Sequence, residues 1–102
     1  MKALVIGRPK FQVPPEQAPM VVQGAIDWYE RYKGSFVEFG TFMGGGGFAV
    51  VDVPDAETLN KMISEMPFVT FSEITAELYV EGDLGFRQFQ ESMQAMMEAM
   101  TP

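Results

Sequence analysis

Two spacings of hydrophobic residues alternate along this chain, and each change of spacing marks a change of element. Lys2 to Arg8 is a nearly unbroken apolar run, closed by Gly7 and an Arg8-Pro9-Lys10 exit, and reads as a first strand. Residues 11–19 hold three prolines and read as a loop, so a regular helix is expected from near Ala18, with Pro19 in its first turn. Val21, Val22, Ala25, Trp28, Tyr29 and Tyr32 then recur at helical spacing until Gly34 stops them. Asp27 and Arg31, four apart on the other side, form a candidate ion pair.

The stretch from Ser35 to Pro67 fixes the expected architecture. Phe36, Val37, Phe39, Phe42 and Met43 have strand character, as do Phe48, Ala49, Val50, Val51 and Val53 beyond the glycines Gly44–Gly47. Four successive glycines are too permissive for a strand interior; they belong where the chain reverses and positive φ is needed, so the two strands pair antiparallel. An anion nest is the functional alternative, but the glycines lead into a strand and no Gly-Lys-Ser/Thr follows, so neither phosphate-loop pattern fits. Asp55 then serves as an N-cap, and Leu59, Met62, Ile63 and Met66 define one buried helix face ended by Pro67. Residues 71–81 alternate, with Ile74, Ala76, Leu78 and Val80 on one side and Glu73, Thr75, Glu77 and Tyr79 on the other. Gly82-Asp83 breaks this strand, and residues 84–100 form an amphipathic helix expected to pack on the core or on a neighbouring subunit. The order β-α-β-β-α-β plus a helix is a ferredoxin-like α+β protomer occupying residues 1–102 as one domain. Right-handed crossovers put both middle helices on one sheet face, above Ile74, Ala76, Leu78 and Val80. Phe36, Phe42 and Phe48 are expected to share the opposite face, which a second copy of the sheet would cover.

Composition narrows the chemistry. Seven basic against fourteen acidic residues give a net charge of −7 with no basic cluster, which argues against nucleic acid and anionic membrane as partners. The chain has no cysteine and no histidine, so disulfides, thiolate nucleophiles, zinc–sulfur sites and histidine-based triads or haem ligation are excluded. The apolar run Ala3–Ile6 is too short for a signal peptide or membrane span, and a cytoplasmic protein is expected.

Several segments resemble small muconolactone-isomerase-like proteins of the dimeric α+β barrel superfamily. They are Pro14-Pro15, Trp28-Tyr29-Glu30-Arg31-Tyr32, Phe42-Met43-Gly44-Gly45-Gly46-Gly47-Phe48, Asp52 to Asn60, and Met66-Pro67-Phe68 with Phe71-Ser72-Glu73-Ile74, spanning roughly residues 1–80. The resemblance implies a homodimer joined sheet to sheet, or a larger ring, with a cavity on the helix-free face of each sheet. It reaches lactone isomerases, cofactor-free monooxygenases, haem-degrading enzymes and non-catalytic ligand-binding domains, and therefore licenses no single reaction. Histidines found in many catalytic members of that superfamily are missing here.

Candidate acid/base groups are Glu38, Glu73 and Glu77, which parity places towards the expected cavity face. Arg8, at the end of a central strand, could bind a substrate carboxylate or enolate oxygen. Tyr79 could donate a hydrogen bond, and Phe36, Phe42 and Phe48 would form apolar walls. Interfacial ion pairing or a solvated sheet edge accounts for the same charged residues without catalysis. Trp28, Tyr29 and Tyr32 are read as packing. Met93, Met96, Met97 and Met100 either line an adaptable pocket or dock on a neighbouring subunit. Asp52 and Asp55 need no metal to explain them, capping and turn duties being enough. The sequence thus supports a cofactor-independent enzyme moving a proton on a small, largely apolar organic acid or lactone. The alternative is a non-catalytic binding or assembly module. No cofactor is required for either.

Overall fold

The computed structural model describes residues 1–67 and 69–101; Phe68, part of the Pro-Phe junction noted above, lies outside them. The elements are β1 (Lys2–Pro9), α1 (Ala18–Tyr32), β2 (Phe36–Thr41), β3 (Gly47–Asp52), α2 (Ala56–Ser64), β4 (Ser72–Tyr79) and α3 (Gly82–Met100). The sheet is antiparallel in the order β2-β3-β1-β4, so the fold is the ferredoxin-like one and β2 and β4 are its edges.

Register decides which residues share a face, because directly opposed residues in an antiparallel pair point the same way. Ala3, Val5 and Gly7 of β1 oppose Val51, Ala49 and Gly47 of β3, and Leu78, Ala76 and Ile74 of β4. This set faces α1 and α2. Ala3, Val5, Ala49 and Val51 are buried there with Trp28, Val53, Leu59, Met62 and Met66. Cover fades towards the β4 edge: Ile74 is half-buried, whereas Leu78 shares the helix side but remains 58% exposed. Leu4, Ile6 and Arg8 alternate with that set and face away from both helices, opposite Glu77, Thr75 and Glu73.

The glycine turn follows from backbone needs alone. Gly45 and Gly46 have φ of +98° and +82°, which L side chains rarely adopt, and Phe42 and Gly46 close the reversal by a backbone bond of 2.9 Å. Gly46 also lies against β1: a Cβ there would stand 2.3 Å from the carbonyl oxygen of Gly7. The α2 N-terminus is capped as the sequence indicates, with the Asp55 carboxylate accepting from the Thr58 N–H at 2.7 Å.

Two local expectations are corrected. Asp27 does not pair with Arg31; it accepts from Gln23 on the same helix, while Arg31 reaches across to Glu65 on the turn after α2 at 3.3 Å. Tertiary contact with α2 thus wins over the i,i+4 pairing. Gly82 and Asp83 do not separate strand from helix but belong to the first turn of α3, Asp83 placing its negative charge at the helix's positive end.

Helix α3 stands away from everything else. Its residues are exposed along the whole length save Gly85, which touches Val80. The Cα radius of gyration is consequently 18.4 Å, against about 13 Å for a compact chain of this size. No described helix is long and apolar enough to cross a membrane.

Gly46→Ala should destabilise the fold by roughly 1–3 kcal/mol through backbone strain, and by more if β1 cannot shift, as measured by urea unfolding. Hydrogen bonds from Thr58 hold the Asp55 carboxyl below its usual value, so its stabilisation is present at neutral pH and lost as pH falls through the folded-state pKa. Asp55→Ala should therefore lower the thermal midpoint at pH 7 and leave it nearly unchanged at pH 2.

Candidate functional site

The sheet separates two candidate sites, one on each face. On the helix side a chamber of about 390 Å³ lies between α1, α2 and the sheet. Val21, Ala25, Trp28 and Tyr29 of α1, Val5 of β1 and Met62 of α2 contribute to its walls. Phe36 and Phe39 close the β2 end, their rings edge-on or tilted to Tyr29 at 5.3 Å. The chamber exists because small residues face the helices just there: Gly7 on β1, and Gly47 and Ala49 on β3. Glycines on a sheet under a helix leave a volume that no side chain fills.

The walls are almost wholly apolar. Among the described lining residues none is charged, and polar side-chain atoms come only from Trp28, Tyr29, Thr41 and Ser72. Trp28 is already committed: its indole N–H donates to the Met62 carbonyl at 2.9 Å, in a buried contact that ties α1 to α2. Its ring packs edge-to-face on Phe36 at 5.5 Å. Below it, Tyr32 donates to Glu65, to which Arg31 also bonds.

Phe36 is where parity along the sequence misleads. It was expected beside Phe42 and Phe48, yet it opposes Val51 and faces the helices, whereas Glu38 opposes Val50 and faces away. The cause is a register irregularity between Phe36 and Glu38: Val37 is an extra residue in β2, and residues on either side of a bulge no longer obey the two-residue rule. The resemblance also implied a cavity on the helix-free face; the larger one lies on the helix side.

The helix-free face carries the charged candidates. Arg8 of β1 lies with its guanidinium carbon 4.7 Å from the centre of the Phe42 ring, which is in turn 5.9 Å from Phe48. Gly40 makes room for this cluster, since a Cβ there would meet the Phe48 ring at 2.5 Å. Glu73 opposes Arg8 across β1–β4, Glu77 opposes Leu4, and Tyr79 opposes Lys2. A second, shallower cavity of about 230 Å³ is lined by Leu4, Val50, Glu77, Leu78 and Tyr79. Lys2 bonds Glu81 at 2.8 Å, which raises the Lys2 pKa and lowers that of Glu81.

The three candidate carboxylates are not gathered in one protomer. Glu38 on edge β2 is three strand spacings from edge β4, about 14 Å, and Glu73 and Glu77 are separated by about 13 Å along β4. Each shares its surroundings with different neighbours: Glu73 with Arg8, and Glu77 with Leu4, Val50 and Tyr79. Asp52 accepts from the chain's amino terminus at 3.2 Å and Asp55 caps α2; no cluster suited to a metal ion occurs among the described residues. The chamber itself was not legible in advance; the signal for it was the pairing of Gly7 with Gly47, which needs register to be seen.

A ferredoxin-like α+β protomer with one helix-covered and one open sheet face is the class of fold these observations define. In that fold the chain resembles the crystal structure of muconolactone isomerase with a TM-score of 0.70 and 20% identity, over 79% of this chain and 90% of that one. It also resembles 5-chloro-2-hydroxyhydroquinone dehydrochlorinase from Burkholderia phenoliruptrix AC1100, in complex with 2,5-dihydroxybenzoquinone. There the TM-score is 0.63 at 13% identity, over 81% of this chain and 97% of that one. These likenesses bear out, at the level of fold, the muconolactone-isomerase-like architecture that the sequence suggested. No family model matches the chain, and no curated protein matches it significantly in sequence.

Trp28→Phe should cost roughly 1–3 kcal/mol in chemical unfolding, because it leaves the Met62 carbonyl buried without its donor. The circular dichroism of the native state should be unchanged in the far ultraviolet.

Proposed function

We propose that this protein binds a small, largely apolar cyclic molecule in the chamber between α1 and the sheet. The observation that carries the reading is the chamber itself: about 390 Å³, walled by aliphatic and aromatic side chains, with only a few polar atoms to orient a guest. That volume falls in the range of small-molecule sites, and that lining is their usual composition. Two solved enzymes with this fold are named for a lactone and for a chlorinated hydroxyhydroquinone, both small oxygenated rings. A guest of that class would present its ring to Trp28, Tyr29 and Phe39 and an oxygen to Thr41 or Ser72.

The catalytic form of the reading is favoured by the opposite face. Glu77 and Tyr79 border an apolar depression with Leu4 and Val50, and Arg8 is held against Phe42 beside Glu73. A sheet-to-sheet homodimer would bring Glu38 of one copy towards β4 of the other and dry the face they share. Under those conditions Glu38, Glu73 or Glu77 would serve as acid and base for proton transfer next to a carbonyl, with Arg8 beside Glu73, or Tyr79 beside Glu77, holding the substrate's oxygen. The chamber lining supplies no such group, so binding alone is the better-supported function.

Because Trp28 is the chain's one tryptophan and lines the chamber, its fluorescence reports occupancy directly. Titration with a small γ-lactone, a hydroquinone and indane should give a saturable change for at least one, weakened roughly tenfold or more in Ala25→Phe, which fills the space. Absence of any saturable response, by fluorescence and by calorimetry, would sink the binding reading. The catalytic form is tested separately by deuterium uptake from heavy water into the lactone. Uptake should be lost in Glu77→Gln or Glu73→Gln while chamber binding persists.

A further inference from the structure

The most unusual surface of the molecule is α3. Phe86, Phe89, Met93, Met96 and Met100 follow one another at alternating intervals of three and four residues, the spacing of a helix–helix seam. With Met97 alongside, every one of them is exposed, from 42% for Met93 to 79% for Met100. A free helix of this kind in water lacks the packing that normally stabilises it. Own-body contact does not supply that packing, since the helix leaves β4 through Val80 and Glu81 and points away.

We propose that α3 pairs antiparallel with the α3 of a second copy of this chain, in full overlap from Gly82 to Met100. The arrangement of side-chain sizes singles out this occupant. Reversing the helix on itself over its whole length sets Phe86 against Met96 and Phe89 against Met93, so each rigid ring meets a flexible thioether, a favourable contact. It also sets Met97 against Gly85 and Met100 against Gly82, large against absent side chains. A parallel pair would instead stack ring on ring and leave both glycines facing each other.

Charge points the same way. A chain of net charge −7 can associate with itself only if its carboxylates avoid the contact. Glu91 and Glu98 fall on the side of α3 remote from the seam, Asp83 lies only at its flank, and Gln90, Ser92 and Ala99 make up the rest of the flanks. The antiparallel arrangement holds the two bodies at opposite ends and opposes the helix dipoles. Six exposed side chains at roughly 100–150 Å² each give about 600–900 Å² per copy, and twice that matches the ~1,200–2,000 Å² of a stable interface. The contact uses neither the chamber nor the helix-free sheet face and stands independently of the binding reading.

The chain's lack of cysteine makes the test direct, because any disulfide formed must join introduced residues. Full-length Phe86→Cys and Met96→Cys proteins are mixed at micromolar concentration under mild oxidation. The expected product is the mixed disulfide, forming roughly tenfold or more faster than disulfides of a far-side Glu91→Cys control. Adding Phe89→Glu to both chains should abolish the advantage, with the sheet's circular dichroism retained. Predominance of the Phe86→Cys homodimer would overturn the antiparallel arrangement, and cross-linking no faster than the control would overturn the pairing. Flotation of the wild-type chain as a monomer with phosphatidylcholine vesicles would show the seam to be a lipid contact and overturn it as well.

Discussion

Strand β1 is hydrogen-bonded along both edges, and that double pairing governs the rest of the structure. Its alternation of Ala3, Val5 and Gly7 with Leu4, Ile6 and Arg8 is copied outward through the register to β3 on one side and β4 on the other. The side chains beneath the helices are small, which lets Trp28 and Met62 descend to the sheet and meet through the indole hydrogen bond. The same smallness, carried further at Gly7 and Gly47, opens the chamber. Core and cavity are therefore two outcomes of one sequence feature: where the helix residues reach down, the space is filled, and where they do not, it stays open.

The fold was legible from periodicity because each element is locally consistent with its neighbours. The proline-bounded start of α1, the Asp55 cap, the glycine reversal and the clean alternation of Ser72–Tyr79 each have a mechanism that depends on adjacent residues only. Phe36 shows where such reasoning ends. Nothing in Phe36-Val37-Glu38 announces that Val37 will bulge; that follows from Phe36 finding Trp28 and Tyr29 under α1, a contact with residues distant along the chain. Arg31 likewise leaves Asp27 for Glu65 because α2 comes within reach. Of the candidate site, the common face of Glu38, Glu73 and Glu77 was readable, and the ferredoxin-like strand order sets Glu38 on one edge and Glu73 and Glu77 on the other; the chamber under the helices was not, since it depends on register.

The two sheet faces differ in kind. Apolar volume lies under the helices, and the ionisable side chains lie on the open side. A fold built this way can hold a hydrophobic guest without exposing it to acid–base groups. Chemistry, where such folds perform it, has to be assembled by a neighbouring copy or by residues at the chamber's margin, and this accommodates both enzymes and plain binders on one scaffold.

The irregularity at Val37 has an outcome beyond turning Phe36 inward. Strand β2 is an outer strand with Val37 and Phe39 left 64% and 55% exposed, the profile of a sticky template on which further strands accumulate. An extra residue there spoils the even ladder that a visiting strand would need, while Glu73 and Glu77 guard the other margin with charge. Endless growth of the sheet is thus discouraged at both borders, which channels any self-association into contacts that close on themselves.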